Sequence, residues 1–245
     1  PNAFYDNAFG TVGIPLEDSD SGEKTVVEVT TFRTEEGFSN KRHPDNVSWG
    51  ETIEEDLSRR DFTINAIALD CSSDKEEIIL DPYEGQKDLE NRILRAVGDP
   101  NLRFKEDALR LMRAVRIATQ LGFSIEEKTL QAISEDAELL KNIAQERIRV
   151  ELLKILSSEY PYEGIILLRN TGLLQYILPE LLEGIGVSQE RPGRHHKDDV
   201  YTHNVLALKY CPSPDPIVRF ATLIHDVGKP RVATMDHEGY VIFHN

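Results

Sequence analysis

Cysteine and long apolar runs are scarce in this 245-residue sequence, and each scarcity excludes a class of protein. The 2 cysteines, Cys71 and Cys211, stand far apart and lack CxxC or Cys/His zinc spacing, which argues against a disulfide framework or a cysteine-rich zinc fold. That usage is typical of reduced thiols and predicts a cytoplasmic location. No apolar run has the length needed to cross a bilayer, so no membrane partner is expected.

Basic residues are also in the minority. The chain has 28 Lys and Arg against 43 Asp and Glu, a formal net charge of −15. A generally basic nucleic-acid binder is therefore not expected, because contacts to phosphates need positive potential. The net charge does not exclude a concentration of basic residues on one face. The distribution of these residues along the chain therefore decides whether nucleic-acid binding is expected.

The periodicity of the apolar residues predicts an α+β fold in which a mixed head is followed by helices. Two β-branched segments separated by a polar loop predict a hairpin, and a helix and short strands are expected after it. From Arg103 onward the apolar spacing is that of one helix after another, interrupted at Gly122, Pro161 and Pro179. The expected head strands are Phe9–Ile14, Thr25–Phe32, Ile78–Leu80 and Ile93–Val97, with a helix over Ile53–Ala68, and the last helices are expected at Tyr201–Tyr210 and Pro216–Asp226.

The most specific motif is the octet from Arg59 to Ala66, which reads Arg-Arg-Asp-Phe-Thr-Ile-Asn-Ala. On the predicted helix, Asp61 and Asn65 are four residues apart and share a face. An isolated Arg-Arg-Asp is more often an exposed ion pair, but the complete octet resembles the signature of the class II nucleotidyltransferases, the group of CCA-adding enzymes and bacterial poly(A) polymerases. The resemblance implies that Arg59, Arg60, Asp61 and Asn65 bind the incoming nucleotide.

A second motif, Glu106-Asp107-Ala108-Leu109-Arg110, has a spacing that places both acids within helical reach of Arg110. Cytosine and adenine present an amino donor beside a ring-nitrogen acceptor, which a carboxylate next to a guanidinium complements. Guanine and uracil present the opposite polarity. The motif resembles the family's nucleobase-reading element, which implies Asp107 and Arg110 as readers and Glu106 as the group that orients Arg110.

Local positive charge is expected on the same helix. Arg110, Arg113 and Arg116 fall along one of its sides, and we count all three among the nucleotide-binding residues.

The strand Val26–Arg33 carries Glu28 among apolar residues, where an unpartnered carboxylate would be costly unless it faces solvent. The segment resembles the family strand that bears an active-site carboxylate, which implies a catalytic and metal-supporting role for Glu28 with Mg²⁺. The family's Asp-x-Asp metal pair has no convincing counterpart here, since Asp18-Ser19-Asp20 lies in a polar loop. We expect that pair upstream of Pro1, so the N-terminal part of the head would be missing and this chain alone inactive.

Three further segments are similar to family elements. The loop Ser39–Pro44 matches the place of a flexible Asp-Gly-Arg-like element, of which only Arg42 fits, and Arg42 is included among the nucleotide-binding residues. The segments Asp81–Leu89 and Gln145–Leu152 also look like parts of the family, and we interpret both as mainly architectural.

Near the end of the sequence, His203, His225 and Asp226 resemble the HD phosphohydrolase superfamily, in which such side chains bind a divalent metal that activates water. The resemblance implies a divalent transition metal here, with His244 as a further candidate ligand. The superfamily's distal Asp would fall beyond Asn245, so a complete site is not predicted.

The motifs together predict three units: the C-terminal portion of a nucleotidyltransferase head over residues 1–98, a helical neck and body over 99–185 that selects the nucleobase and binds RNA, and the truncated start of a helical HD region over 186–245. The predicted function is addition of CCA to tRNA 3′ ends from CTP and ATP, with tRNA as partner. Open alternatives are a poly(A) polymerase, a CC- or A-only adding enzyme, an HD-type metal-dependent phosphohydrolase with a binding-only head, and a non-catalytic RNA-binding module. The sequence leaves the oligomeric state open.

Overall fold

A computed structural model of the chain describes residues 4–6, 11–17, 24–36, 46–71, 77–190 and 198–243. Over these ranges the fold is α+β, with small sheets in the first third and helices in the rest. None of the helices in these ranges is both long and apolar enough to cross a membrane.

The first third is built from short antiparallel strand pairs. β2 pairs with β3 over seven residues, with Gly13 opposite Glu28, which confirms the predicted hairpin. Two further antiparallel pairs follow, β4 with β5 and β6 with β7. The strands are β1 Phe4–Asp6, β2 Thr11–Glu17, β3 Lys24–Thr30, β4 Arg33–Glu36, β5 Asn46–Trp49, β6 Ala68–Asp70 and β7 Ile78–Leu80.

The helix predicted over Ile53–Ala68 is wrong in its length. α1 spans only Ile53–Ser58, and Phe62 is extended, with φ −130° and ψ 150°. Phe62 forms an antiparallel bridge with Ala96, and a single 3₁₀ turn follows at Thr63–Asn65. Phe62 is fully buried, so the packing of this side chain and the bridge outweigh the local helical preference.

Helices dominate after residue 84. α2 Gly85–Asn91 leads into β8 Ile93–Leu94, which pairs in parallel with β9 Ser124–Ile125. Gly122 ends α4 with φ 65°, and prolines occupy the first turns of α7 and α9, as the sequence predicts. The remaining helices are α3 Pro100–Glu106, α4 Leu109–Leu121, α5 Glu127–Glu135, α6 Gln145–Leu156, α7 Pro161–Asn170, α8 Leu174–Ile177, α9 Pro179–Leu182, α10 Val200–Lys209 and α11 Pro216–Ile224, with 3₁₀ turns at Ala137–Asn142 and Lys229–Val232 and a final hairpin of β10 Ala233–Met235 and β11 Val241–Phe243.

The main core joins these helices to the segment after α1. Its buried residues include Phe62, Phe104 and Met112, and it continues through α6 and α7 to Leu223 of α11. Arg219 of α11 also donates to the carbonyls of Leu156 and Ser158 at the end of α6, at 2.6 and 2.7 Å. The segment that follows α1 is therefore held on the same packed core as α4, which fixes the position of the polar side chains between them.

Candidate functional site

A polar cavity of about 580 Å³ opens between the segment after α1 and the first turns of α4 and α6. Seven of the residues proposed from the sequence meet there, together with two that were not proposed. Its lining consists of Arg59, Arg60, Asp61, Asn65, Asp107, Leu109, Arg110, Arg113 and Arg147. Five arginines against two carboxylates make the cavity suited to an anionic ligand.

Asp61 is the centre of the hydrogen bonds on one wall. Its Oδ1 accepts from the backbone N–H of Phe62 at 2.9 Å and from Asn65 Nδ2 at 3.1 Å. Its Oδ2 accepts from Nε and Nη2 of Arg113, at 2.8 and 2.5 Å. The predicted proximity of Asp61 and Asn65 is thus real, although a 3₁₀ turn rather than an α-helix produces it.

The Asp61 carboxylate stays ionised in this setting. Burial raises the pKa of Asp61, but the charge of Arg113 and the hydrogen bonds from Asn65 and Arg113 lower it by a larger amount. The net pKa therefore lies below the ordinary value of 3.8. Asp61 is therefore an acceptor that holds the Arg113 guanidinium at the cavity wall.

The guanidinium of Arg110 donates hydrogen bonds to three acceptors. Its Nη1 donates to Glu106 Oε2 at 2.6 Å and to the carbonyl of Arg103 at 3.1 Å, and its Nη2 donates to the carbonyl of Arg59 at 3.0 Å. Its side chain is only 11% exposed. Glu106 thus contacts Arg110, as its spacing predicts, and does not itself line the cavity.

Asp107 departs from the expectation that one helix carries it with Arg110. The chain leaves the helical conformation at Asp107, where φ is −134°, so α3 ends before this residue and α4 begins at Leu109. Asp107 Oδ1 accepts from the N–H of Leu109 at 3.0 Å, and its Oδ2 lies 3.4 Å from Arg147 Nη2. The expected side-chain pairing of Asp107 with Arg110 is therefore corrected to one with Arg147. The N–H of Arg110 still donates to the carbonyl of Asp107 at 3.0 Å, and both residues line the cavity.

The expected row of three arginines on α4 is also only partly present. Arg113 lines the cavity, whereas Arg116 donates to Glu151 Oε2 at 2.5 Å and to Gln120 Oε1 at 2.7 Å and is not among the lining residues. Glu151 is buried, and an unpaired carboxylate there would be costly, which explains why Arg116 turns toward α6.

Glu28 does not line this cavity, and the position of Arg42 is not described. Glu28 is exposed on β3 and is not among the lining side chains. Arg42 and the loop around it lie outside the described residues, as do Asp18-Ser19-Asp20 and His244. In the described ranges no cluster of metal-ligating groups includes Glu28, so these residues do not by themselves make a magnesium site.

Arg147 is the charged lining residue that the sequence did not predict. It sits in the first turn of α6, in a segment interpreted as architectural, and its Nη1 is buried without a hydrogen-bond partner in the described chain. Its sequence distance of 40 residues from Asp107 left no local signal for the contact.

A second polar cluster lies far along the chain, on α10 and at the end of α11. Nε2 of His203 is 3.1 Å from Nε2 of His225, and each is 3.4 Å from Asp226 Oδ2. Lys229 Nζ also contacts that oxygen at 2.6 Å. The three ligand atoms lie within 4.8 Å of one another, and two imidazoles with a carboxylate form a donor set that suits zinc, iron or a similar divalent ion.

Comparison with known proteins gives two family matches. Residues 2–95 match the family described as "Poly A polymerase head domain". Residues 122–184 match the family described as "Probable RNA and SrmB- binding site of polymerase A".

Curated relatives are CCA-adding enzymes. That of Levilactobacillus brevis is 51% identical over 153 residues, covering 62% of this chain and 37% of the relative. That of Geobacillus thermodenitrificans is 47% identical over 161 residues, or 66% of this chain and 39% of the relative. The chain therefore spans well under half the length of these relatives.

Solved structures agree in fold. The CCA-adding enzyme of Bacillus stearothermophilus in complex with CTP superposes with a TM-score of 0.67 at 32% identity, over 94% of this chain and 51% of that one. A tRNA nucleotidyltransferase complexed with a primer tRNA and an incoming ATP analog superposes with a TM-score of 0.66 at 23% identity, over 92% of this chain and 60% of that one, which shows the fold alone. With the octet, the arginine-lined cavity and these matches taken together, the chain belongs to the class II nucleotidyltransferase family of CCA-adding enzymes and bacterial poly(A) polymerases.

Proposed function

We propose that this chain is the nucleotide-selecting part of a cytoplasmic tRNA nucleotidyltransferase that adds C, C and A to tRNA 3′ ends from CTP and ATP. The observation that carries the proposal is the cavity itself, which places Asp107 and Arg110 together on a wall rich in arginine. The relatives named above, one of them bound to CTP, support the choice of substrates. The proposed division into a head over 1–98, a neck and body over 99–185 and an HD region from 186 follows from the motifs.

In this proposal the chain's own residues bind and select the nucleotide. A carboxylate oxygen of Asp107 accepts from the amino group that cytosine and adenine share, and Arg110 donates to the adjacent ring nitrogen. Arg59 and Arg60 contact the phosphates, for which a guanidinium has matching donors. Mg²⁺ would supply charge neutralisation during transfer, with Glu28 as one proposed ligand, but the described residues do not by themselves complete that site.

Nucleotide affinities test this selection. Isothermal titration is expected to show CTP and ATP binding about tenfold or more tightly than UTP and GTP, the scale of a well-formed bidentate base contact. Asp107→Ala and Arg110→Ala are expected to remove that preference. Arg149→Ala, an exposed arginine on α6, is the matched control and is expected to bind as the unchanged chain does.

Two outcomes would contradict the proposal. Unchanged CTP and ATP affinity in Asp107→Ala and Arg110→Ala would favour a non-catalytic RNA-binding module. Incorporation of ATP alone onto tRNA lacking CCA, measured with the full-length protein, would favour a poly(A) polymerase or an A-adding enzyme.

A second function is favoured by the cluster of His203, His225 and Asp226. We infer that these side chains bind a divalent transition metal, as in HD phosphohydrolases, because their ligand atoms converge and the donor set fits such an ion. Metal would supply an activated water for hydrolysis.

Metal binding can be measured directly. The metal content after dialysis against Mn²⁺, Ni²⁺ or Zn²⁺ is expected to approach one ion per chain and to fall to background in His225→Ala. His237→Ala is the control, since this histidine is 89% exposed and lies outside the cluster. Equal metal content in the two variants would remove the proposal.

A further inference from the structure

Asp56, in the last turn of α1, is a buried carboxylate with two arginine partners. Its Oδ1 accepts from Nε and Nη2 of Arg59, at 3.1 and 2.6 Å, and its Oδ2 accepts from Nη2 of Arg60 at 2.7 Å. The side chain of Asp56 is 3% exposed, so it does not itself reach a ligand in the cavity. Within the described part of the chain, the hydrogen bonds of the Asp56 side chain all go to the two consecutive arginines that line the cavity.

The two arginines differ in what they can offer to a ligand. The side chain of Arg59 is 14% exposed, while that of Arg60 is 42% exposed and its Nε is buried with no hydrogen-bond partner in the described residues. A guanidinium recognises phosphate through a planar fork of donors, so its orientation decides which donors face the anion. Because Asp56 binds donors on one side of each guanidinium, the orientation of the remaining donors is also fixed.

The same contact reaches the nucleobase wall. The carbonyl of Arg59 accepts from Nη2 of Arg110 at 3.0 Å, so Asp56, Arg59 and Arg110 form one chain of contacts. Asp56 remains an acceptor at neutral pH. Burial raises its pKa, and the hydrogen bonds and charges of Arg59 and Arg60 bring the net pKa below 3.8.

We propose that Asp56 is a positioning residue that orients Arg59 and Arg60 together toward the triphosphate of the incoming nucleotide. The inference rests on the proposed function and adds a residue that does not touch the ligand. For the removal of the Asp56 charge, it predicts weaker phosphate binding, whereas the change in net charge alone predicts stronger binding. Removal of the Asp56 charge alone would raise the local positive potential and strengthen phosphate binding, whereas loss of orientation weakens it.

The test compares affinities for CTP, CMP and inorganic triphosphate by isothermal titration. Asp56→Asn is expected to weaken CTP and triphosphate about tenfold, the lower end of the effect of outer partners that orient metal ligands, and to change CMP by less than about twofold. Glu54→Gln removes a charge from the exposed face of the same helix and is expected to match the unchanged chain. Asp56→Glu keeps the charge and displaces the carboxylate. Its ratio of the CMP dissociation constant to the CTP dissociation constant is therefore expected to fall below that of the unchanged chain, but by less than in Asp56→Asn.

The outcomes separate the inference from the proposed function. Tighter or unchanged triphosphate binding in Asp56→Asn, or an equal loss for CMP and CTP, overturns the positioning role. If Asp56→Asn does not fold, the ratio in Asp56→Glu decides, and an unchanged ratio overturns the role. Failure of the unchanged chain to bind CTP overturns the proposed function instead.

Discussion

Replacement of Asp61 by asparagine is expected to weaken CTP binding at least tenfold and to lower the free energy of unfolding by about 3 kcal/mol, the upper range for a lost hydrogen bond to a charged group. Asp61 Oδ2 is the acceptor for both Nε and Nη2 of Arg113. An amide in its place offers a donor to that guanidinium or leaves it partly unpaired. The measurement is a urea titration together with isothermal titration of CTP.

The pH dependence of the same variant provides a second reading. Because the folded pKa of Asp61 is below its unfolded value of 3.8, its stabilising contribution is complete above 3.8 and is lost as pH falls through the folded pKa. By this linkage, the difference in unfolding free energy between the unchanged chain and Asp61→Asn is expected to be constant between pH 7 and 5. The difference is expected to become smaller below pH 3.8. A gap that widens on acidification would contradict the ion pair.

Asp88→Asn is the matched control for this variant. Asp88 is also buried, accepts from Thr63 Oγ1 at 2.7 Å and pairs with Arg95, but it does not line the cavity. It is expected to destabilise the fold to a similar degree while CTP affinity is kept under conditions where the variant is folded. Equal loss of affinity in the two variants would mean that Asp61 acts only through stability.

Gly85→Ala is expected to destabilise the fold by about 1–3 kcal/mol, the usual cost of overpacking, with a loss of CTP affinity. A Cβ at Gly85 would collide with the carbonyl oxygen of Thr63. It would also lie 2.8 Å from the carbonyl carbon of Thr63 and 2.9 Å from Ile67 Cγ1. Backbone atoms cannot give way as a side-chain end does. The 3₁₀ turn at Thr63–Asn65, which carries Asn65 into the cavity, would therefore shift.

Gly228→Ala serves as the control for that substitution. Its φ of −81° is one that alanine adopts, and apart from its chain neighbours no atom of the described residues lies within 4 Å of the added Cβ. It is expected to be neutral or slightly stabilising in a urea titration, because alanine reduces the entropy of the unfolded chain. Similar destabilisation by the two alanines would show that the close approach at Gly85 is not the cause.

The site was predictable to the extent that its residues lie in short, specific runs. The octet and the Glu106–Arg110 segment supplied seven of the nine lining residues, because the side chains within each run are near one another whatever local conformation joins them. Of the other two, Arg113 lies one turn further along α4 and Arg147 comes from a separate helix. Nothing local to α6 indicates that it faces Asp107, since that contact depends on the packing of α4 against α6.

The conformation of the octet was less predictable. Its residues suit a helix, yet the segment after Ser58 pairs with Arg95–Val97, with Thr63 N–H donating to the carbonyl of Arg95 at 3.0 Å. Pairing between segments more than 30 positions apart is not visible in local spacing, so the tertiary contact overrode the propensity. The break at Asp107 is local instead, since Asp107 Oδ1 accepts from the N–H of Leu109, the first residue of α4.

The amino-acid sequence by itself determined the family, the α+β order and the residue types that meet a nucleotide, because these follow from runs of a few neighbouring residues. The tertiary structure decided the partners. It brought Glu151 to Arg116 and Arg147 to Asp107, whereas Asp56 pairs with Arg59 and Arg60 at local helical spacing. The reason is physical: a buried charge needs a partner, and the packing of segments far apart in the sequence fixes which distant side chain comes within ion-pair distance.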